Sequence, residues 1–433
     1  MRLQHIAALM ILGMGATVTW ACSNNGSSCS TPTAGSNSDG STAAGALATF
    51  TPPKDPGAGG ILFAASGEVL ALTGYPFPPV NEGDPAFVDG WDVEFTRLLV
   101  TIDKIKISSN PDMNPGDQSQ FGGLVGEVDG PWAIDLAHSD PSYLPGKGGA
   151  GEEAVPIAAL SNQNKSCNDS FATDGTRYAF GFDTINATAM TSDKRQTMNV
   201  NLDAAGQADY ATMITNGCTI LYVGIATFKG GGVAGHTDCN SDAVHASWPK
   251  VVNFSLCYKS PTTYENCQNP DNDPSNPIST NEEHERGIAV KTNGSVIGQV
   301  TIHTDHPFWD SVLHDSPAHF DQFAARVAGQ GTDGGAAPTV TLEMTRGVDY
   351  TAYTDALGNK LNWRYCIDPP TDVHPQLTGA MAFDPQSVPH APAGDGNTGL
   401  RDYSDFSTYD QSTQGHLNSD GLCFVMRNYA SPP

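Results

Sequence analysis

The chain carries 46 glycines and 30 prolines among its 433 residues, scattered along most of its length. Glycine frees the backbone for turns and proline removes an amide donor, so long uninterrupted helices have little room. Between these breaks lie short segments of strand character. Trp91, Val93 and Phe95 alternate with polar residues, and the pattern runs on through Leu98 to Ile107. Alternation with period two places one face of a strand on a core. Gly60 to Gly74, with Leu62, Ala64, Val69 and Ala71, reads the same way, as do Met198 to Leu202, Thr219 to Phe228, Val251 to Tyr258, Val340 to Met344 and Leu422 to Met426. Ile288 to Thr292 and Ser295 to Ile302 flank Asn293-Gly294. That dipeptide tolerates the positive φ angles of a two-residue turn, so the segment predicts a hairpin.

Helical signals are few. Ser316-Pro317 offers an N-cap and a first-turn proline, and Phe320, Phe323, Ala324 and Val327 follow at helical spacing up to Gly329. A shorter helix is expected from Pro307 to His314. The strand-helix alternation of a parallel α/β sheet is missing. The expected fold is mainly β, an antiparallel β-sandwich with long loops and a small helical insertion after residue 305. Residues 50–433 form the β-rich domain, with a weak boundary in the Gly-rich stretch 329–338.

The N-terminus reads as an export signal over residues 1–21. Arg2 precedes an apolar run from Ile6 to Val18, too short to span a bilayer. Thr19-Trp20-Ala21-Cys22-Ser23 resembles the lipobox of bacterial lipoproteins. That resemblance implies cleavage before Cys22, lipidation of Cys22 and a membrane anchor. Thr19 and Trp20 depart from the usual residues. An ordinary signal peptide cleaved near Ala21 is the alternative. Residues 22–49, rich in Ser, Asn, Gly and Thr, form a flexible tether that cannot bury a core. Ser23 after the cysteine implies the outer membrane in a Gram-negative lipoprotein. Gly90 to Ile107, together with His303-Thr-Asp-His-Pro-Phe-Trp-Asp310, resembles large uncharacterised cell-surface lipoproteins of Gram-negative bacteria, which implies location and not activity. A protein partner at that surface is open.

The net charge of −26, with only 21 Lys plus Arg, excludes nucleic acid and anionic membrane as electrostatic partners. It suits cations and solubility alike. Of nine cysteines, Cys22 and Cys29 lie before the folded part, leaving an odd seven. Export favours disulfides. Sequence proximity suggests Cys218–Cys239 and Cys257–Cys267, with Cys366–Cys423 tying down the C-terminus, although spacing does not fix connectivity. Cys-x-x-Cys, Gly-x-Ser-x-Gly, Walker, Rossmann and His-Glu-x-x-His patterns are absent from the sequence.

Chemistry concentrates in residues 301–319, which hold His303, His306, His314 and His319 with Asp305, Asp310 and Asp315. Imidazole and carboxylate are the ligands of divalent transition metals. His303 and Asp305 would share a strand face, His306 would sit at the corner, and Asp310 and His314 would share a helix face. His303, Asp305, His306, Asp310, His314 and His319 are therefore the candidate ligands for copper or zinc, with Thr301 and Asp315 orienting imidazoles from behind. The same residues beside Phe308, Trp309 and Phe320 can instead form a hydrogen-bond network that only pins the fold. His236, Asp238 and His245 make a looser group near Cys239, and His374, His390 and His416 are isolated in loops, from which one could complete the site across space. The acidic stretches 110–117 and 270–276 lack EF-hand spacing and read as polar turns.

Thr301-Ile-His-Thr-Asp-His306 resembles the His-x-His-x-Asp-His motif of metallo-β-lactamase-fold hydrolases over six residues. Thr301 stands where the first zinc ligand belongs, and that family's αββα order is not apparent. The resemblance implies His303 on one zinc and Asp305 and His306 on another. Three functions follow: an anchored lipoprotein that binds metal without catalysis; a structural or adhesion module without metal; and a metal-dependent hydrolase with Asp310 or Asp315 as general base. The first is preferred. No catalytic residue is assigned.

Overall fold

The computed structural model describes residues 46–81, 83–162, 172–230, 239, 245–272, 282–310, 316–331, 335–349, 353–361, 364–367, 400 and 402–429. In chain order the strands are β1 (Ala48–Thr49), β2 (Ile61–Ser66), β3 (Trp91–Ser108), β4 (Leu124–Val128), β5 (Trp132–Asp135), β6 (Leu144–Pro145), β7 (Glu153–Leu160), β8 (Asp174–Thr184) and β9 (Met198–Asn199). They continue with β10 (Ile220–Phe228), β11 (Val251–Tyr258), β12 (Thr262–Glu265), β13 (Ile288–Lys291), β14 (Val296–Ile302), β15 (Thr339–Thr341), β16 (Gly415–Leu417), β17 (Gly421–Leu422) and β18 (Phe424–Arg427). The α-helices are α1 (Glu68–Thr73), α2 (Ala204–Asn216), α3 (Asp321–Ala324) and α4 (Tyr403–Gln411).

Among the described residues the strands make two mixed sheets, so the fold is mainly β with small helical insertions, as expected. The larger has twelve strands built on the path β1-β9-β5-β3-β10-β11-β15, with β4 and β8 also on β3, β12 and β13 on β8, and β18 on β12. The smaller runs β17-β16-β14-β2-β7-β6. Most pairs are antiparallel; β1–β9, β5–β9, β11–β15 and β2–β14 are parallel. One continuous buried cluster joins the sheets, with Phe63 of β2 and Phe180 of β8 having ring centroids 5.9 Å apart.

The long β3 shows why sequence and sheet agree there. Its first part alternates Trp91, Val93 and Phe95 inward, as read from the sequence. From Leu98 to Asp103 it is buried on both faces, because α2 packs on the outer side through Tyr210 and Met213 against Leu99 and Leu221. Near Lys104, at φ 50°, the register against β8 shifts, a bulge that bends the strand between partners. The α2 helix begins at Asp203, whose carboxylate accepts from Gly206 N at 2.7 Å, and ends at Gly217 in the left-handed region.

Four expectations are corrected. Asn293-Gly294 does not close a hairpin: β13 pairs with β8, while β14 pairs with β2 in parallel and with β16. The turn carries the chain from one sheet to the other, and β14 fills both its edges in the sheet interior, which a two-stranded ribbon cannot do. Val69 and Ala71 lie in α1, because Gly67 and Gly74 bracket a single helical stretch after β2. The 316–329 helix is shorter than its periodicity suggests. Ala318 bridges Phe87 and Trp309, and α3 starts only at Asp321, where Asp89 Oδ2 accepts the amides of Phe320 and Asp321 at 2.7 Å each. The cap is thus supplied from a distant loop, not by Ser316. Among the described residues the disulfides are Cys218–Cys257, Cys239–Cys366 and Cys267–Cys423. Across β10 and β11, Cys257 stands opposite Leu221, close to Cys218, so strand pairing and not sequence proximity chooses that bond.

Candidate metal centre

Parallel pairing of β2 and β14 brings the carboxyl ends of both strands to one edge of the smaller sheet, with Ser66 opposite Thr301. Glu68 follows β2 and His303 follows β14. On the other side of β14, β16 runs antiparallel and sets His416 opposite Thr301. The backbone N–H of His303 extends that ladder by donating to the Gln414 carbonyl at 3.0 Å. Three residues from one antiparallel pair therefore share a face: Thr301, His303 and His416. The 3₁₀ turn His306–Phe308 then folds over this face, its Pro307 carbonyl accepting from Ser407 Oγ of α4 at 2.8 Å.

The result is a group of three imidazoles. Ring centroids stand 4.1 Å apart for His303 and His416, 5.3 Å for His303 and His306, and 5.5 Å for His306 and His416. One ligand nitrogen from each lies within 4.8 Å of the other two. Nitrogens on a tetrahedral zinc stand roughly 3.3 Å apart, so modest ring rotations suffice to close the site.

Tautomers follow from hydrogen-bond arithmetic. Thr413 Oγ1 donates its one proton to the Asp410 carbonyl at 2.7 Å, so it accepts from His306 Nδ1–H at 2.7 Å. A neutral His306 therefore carries its lone pair on Nε2. His303 Nε2 faces the Ser419 carbonyl at 3.2 Å, and a carbonyl only accepts, so in the neutral ring Nε2 holds the proton and Nδ1 the lone pair. Ser419 is fixed in turn: its amide donates to Thr301 Oγ1 at 2.9 Å, in a loop where Asn418 and Ser419 both have positive φ. Thr301 thus orients His303 through Ser419, at one remove from the role expected of it.

Carboxylates adjoin the imidazoles. Glu68 Oε1 lies 3.6 Å from His303 Nε2, and Glu68, His303 and Asp420 bring ligand atoms within 4.8 Å of one another. Burial pushes Glu68 up to about 7; His303 opposes this, while Asp305, Glu152 and Asp420 add to it. For His303, burial acts to lower the pKa, but Glu68, Asp305 and the Ser419 carbonyl outweigh it and the net shift is upward.

Of the six residues read as ligands, His303 and His306 fall in the imidazole group. Asp305 lies nearby, but its Oδ2 accepts from Trp309 Nε1 at 3.1 Å, and Trp309 stacks on His306 at 3.7 Å. Asp310 and His319 belong to a different cluster. His319 Nε2 lies 3.4 Å from Asp310 Oδ2 and its Nδ1 3.9 Å from Asp89 Oδ2, all three side chains fully buried. Tyr365 donates to Asp310 Oδ2 at 3.2 Å. His314 and Asp315, like His236, Asp238, His374, His390 and Cys22, lie outside the described residues. His245 is also buried elsewhere, with Nε2 3.3 Å from Asp321 Oδ2. The sequence pointed to neither Glu68 nor Asp420 as a ligand, and offered His416 only as one of three loop histidines able to complete the site across space. A signal for the last two existed in Asn418-Ser-Asp-Gly421, a turn that closes β16 onto β17; nothing local marks Glu68.

Beside this centre, Asp410 is buried with Oδ2 lacking a hydrogen-bond partner among the described residues. Burial holds its pKa well above the carboxylate range, so it is protonated in the fold when an unfolded Asp, near pKa 3.9, has ionised. A raised folded pKa means stability present at low pH is lost as pH rises from about 4 toward that value, at up to about 1.4 kcal/mol per pH unit. Asp410→Asn, isosteric with the protonated acid, is expected to match the wild type at pH 4 and exceed it in stability at pH 7. Urea midpoints at the two pH values check this.

Comparisons with known protein families, with curated proteins and with solved structures found no match for this chain.

Proposed function

We propose that this chain is an exported, lipid-anchored protein that binds copper or zinc through His303, His306 and His416 and holds the ion without turning over a substrate. The observation that carries the reading is the Thr413 hydroxyl, which fixes the proton of His306 on Nδ1 and turns Nε2 into a ligand nitrogen. Ligating histidines are oriented by a partner on their other nitrogen in the same way. Three imidazoles suit borderline transition metals better than calcium or magnesium, which prefer oxygen. The three disulfides among the described residues support an oxidising compartment, and the lipobox-like Cys22 with its tether supports an anchor in the outer membrane.

The test is elemental analysis of the full chain beside the His303→Ala/His306→Ala variant. Near-stoichiometric copper or zinc in the first and none in the second is expected. No metal in either, even after reconstitution, would return the imidazoles to packing and leave a structural surface module.

A further inference from the structure

Two groups of ligand atoms meet at one residue. His303 belongs both to the imidazole set with His306 and His416 and to the oxygen-rich set with Glu68 and Asp420. Its Nε2 has two oxygen neighbours. Nε2 faces the Ser419 carbonyl at 3.2 Å and Glu68 Oε1 at 3.6 Å. In the neutral ring the lone pair then lies on Nδ1.

We propose that the site is binuclear, with His303 bridging two divalent transition-metal ions. One ion takes His303 Nδ1, His306 and His416. The second takes His303 Nε2, Glu68 and Asp420, with the Ser419 carbonyl oxygen available as a further donor. When the second ion binds, it replaces the proton on His303 Nε2, which leaves to solvent, and Ser419 exchanges a hydrogen bond for a coordination bond. Nitrogen and carboxylate together are an ordinary donor set for zinc. The fold supplies the geometry: the chain leaving β2 delivers Glu68, the chain leaving β14 delivers His303 and the β16–β17 loop delivers Asp420, so the second pocket lies at the same edge of the small sheet as the first. Glu68 is held there at φ 63°, a backbone region that costs a non-glycine residue energy.

This inference rests on the metal-binding reading above, and the experiment separates the two. The oxidised full chain is stripped of metal and titrated calorimetrically with zinc alone, beside Glu68→Gln/Asp420→Asn. The expected result is two ions per wild-type chain and one per variant. One ion in both chains overturns the second site and leaves the first standing. One ion in the wild type and none in the variant also overturns it, by making the carboxylates ligands of a single ion. No ion in either chain overturns both readings. A measurement on the wild type alone guards against a variant that does not fold. Copper(II) added to two equivalents is expected to give less electron paramagnetic resonance signal than one equivalent, because a bridging imidazolate couples the spins. A signal that doubles instead overturns the bridge.

Discussion

His416→Ala is expected to weaken zinc binding by more than about 100-fold. A structural zinc site contributes about 10–16 kcal/mol, so one imidazole among three carries roughly 3–5 kcal/mol, which is at least about two powers of ten in affinity. The strand itself should survive, because β16 is held by backbone pairing from Val300 to Ile302 against Gly415 to Leu417. Competition against a chromophoric chelator, with the denaturation midpoint of the metal-free chain as control, measures the effect. Unchanged affinity in a folded variant would remove His416 from the centre and with it the case for a three-imidazole site.

Arg364→Met is expected to lower stability by about 3–5 kcal/mol, because it strands a buried charge. Arg364 Nε donates to Asp321 Oδ2 at 2.7 Å, and its Nη2 donates to Oδ1. Trp91 Nε1 adds a bond to Asp321 Oδ1 at 2.8 Å, and the guanidinium sits 4.3 Å from the Phe228 ring centroid. Although burial opposes it, this partnership holds Asp321 below the usual carboxylate range, and its charge helps burial push the neighbouring Asp89 up to about 7. Methionine keeps the aliphatic packing and removes the charge together with its hydrogen bonds to Asp321. Adding Asp321→Asn should recover part of the loss, since removing both charges leaves nothing uncompensated, and urea unfolding of the double-mutant cycle reports the coupling. Zinc affinity should stay near wild type in both variants, because neither residue belongs to the ligand groups.

How much of this was legible follows from the range of each signal. The strand Trp91–Ser108 could be read because alternation records burial of one face, a local property of each side chain. The pairing of β14 could not. Asn293-Gly294 specifies a reversal, but the choice of β2 as neighbour is made by residues more than 200 positions away. Likewise, Phe320, Phe323 and Ala324 were correctly read as core, yet the start of α3 was misplaced because its cap comes from Asp89. The candidate site divides in the same way. The density of His and Asp in 301–319 pointed to His303 and His306, and it also drew in Asp310 and His319, whose buried pairing with Asp89 leaves no trace in local spacing. His416 looked like one isolated loop histidine among several, and only the antiparallel ladder makes it special.

The same dispersal governs when an ion can be taken up. His303 and His306 meet His416 only after β16 has docked, and Glu68 joins only once β2 lies beside β14. On the metal-holding reading, an unfolded chain has no more claim on copper or zinc than any histidine-bearing peptide. Loading is therefore a late event, coupled to completion of the small sheet. The free-ion supply of the compartment where folding finishes, and not that of the compartment of synthesis, would decide which metal the protein carries.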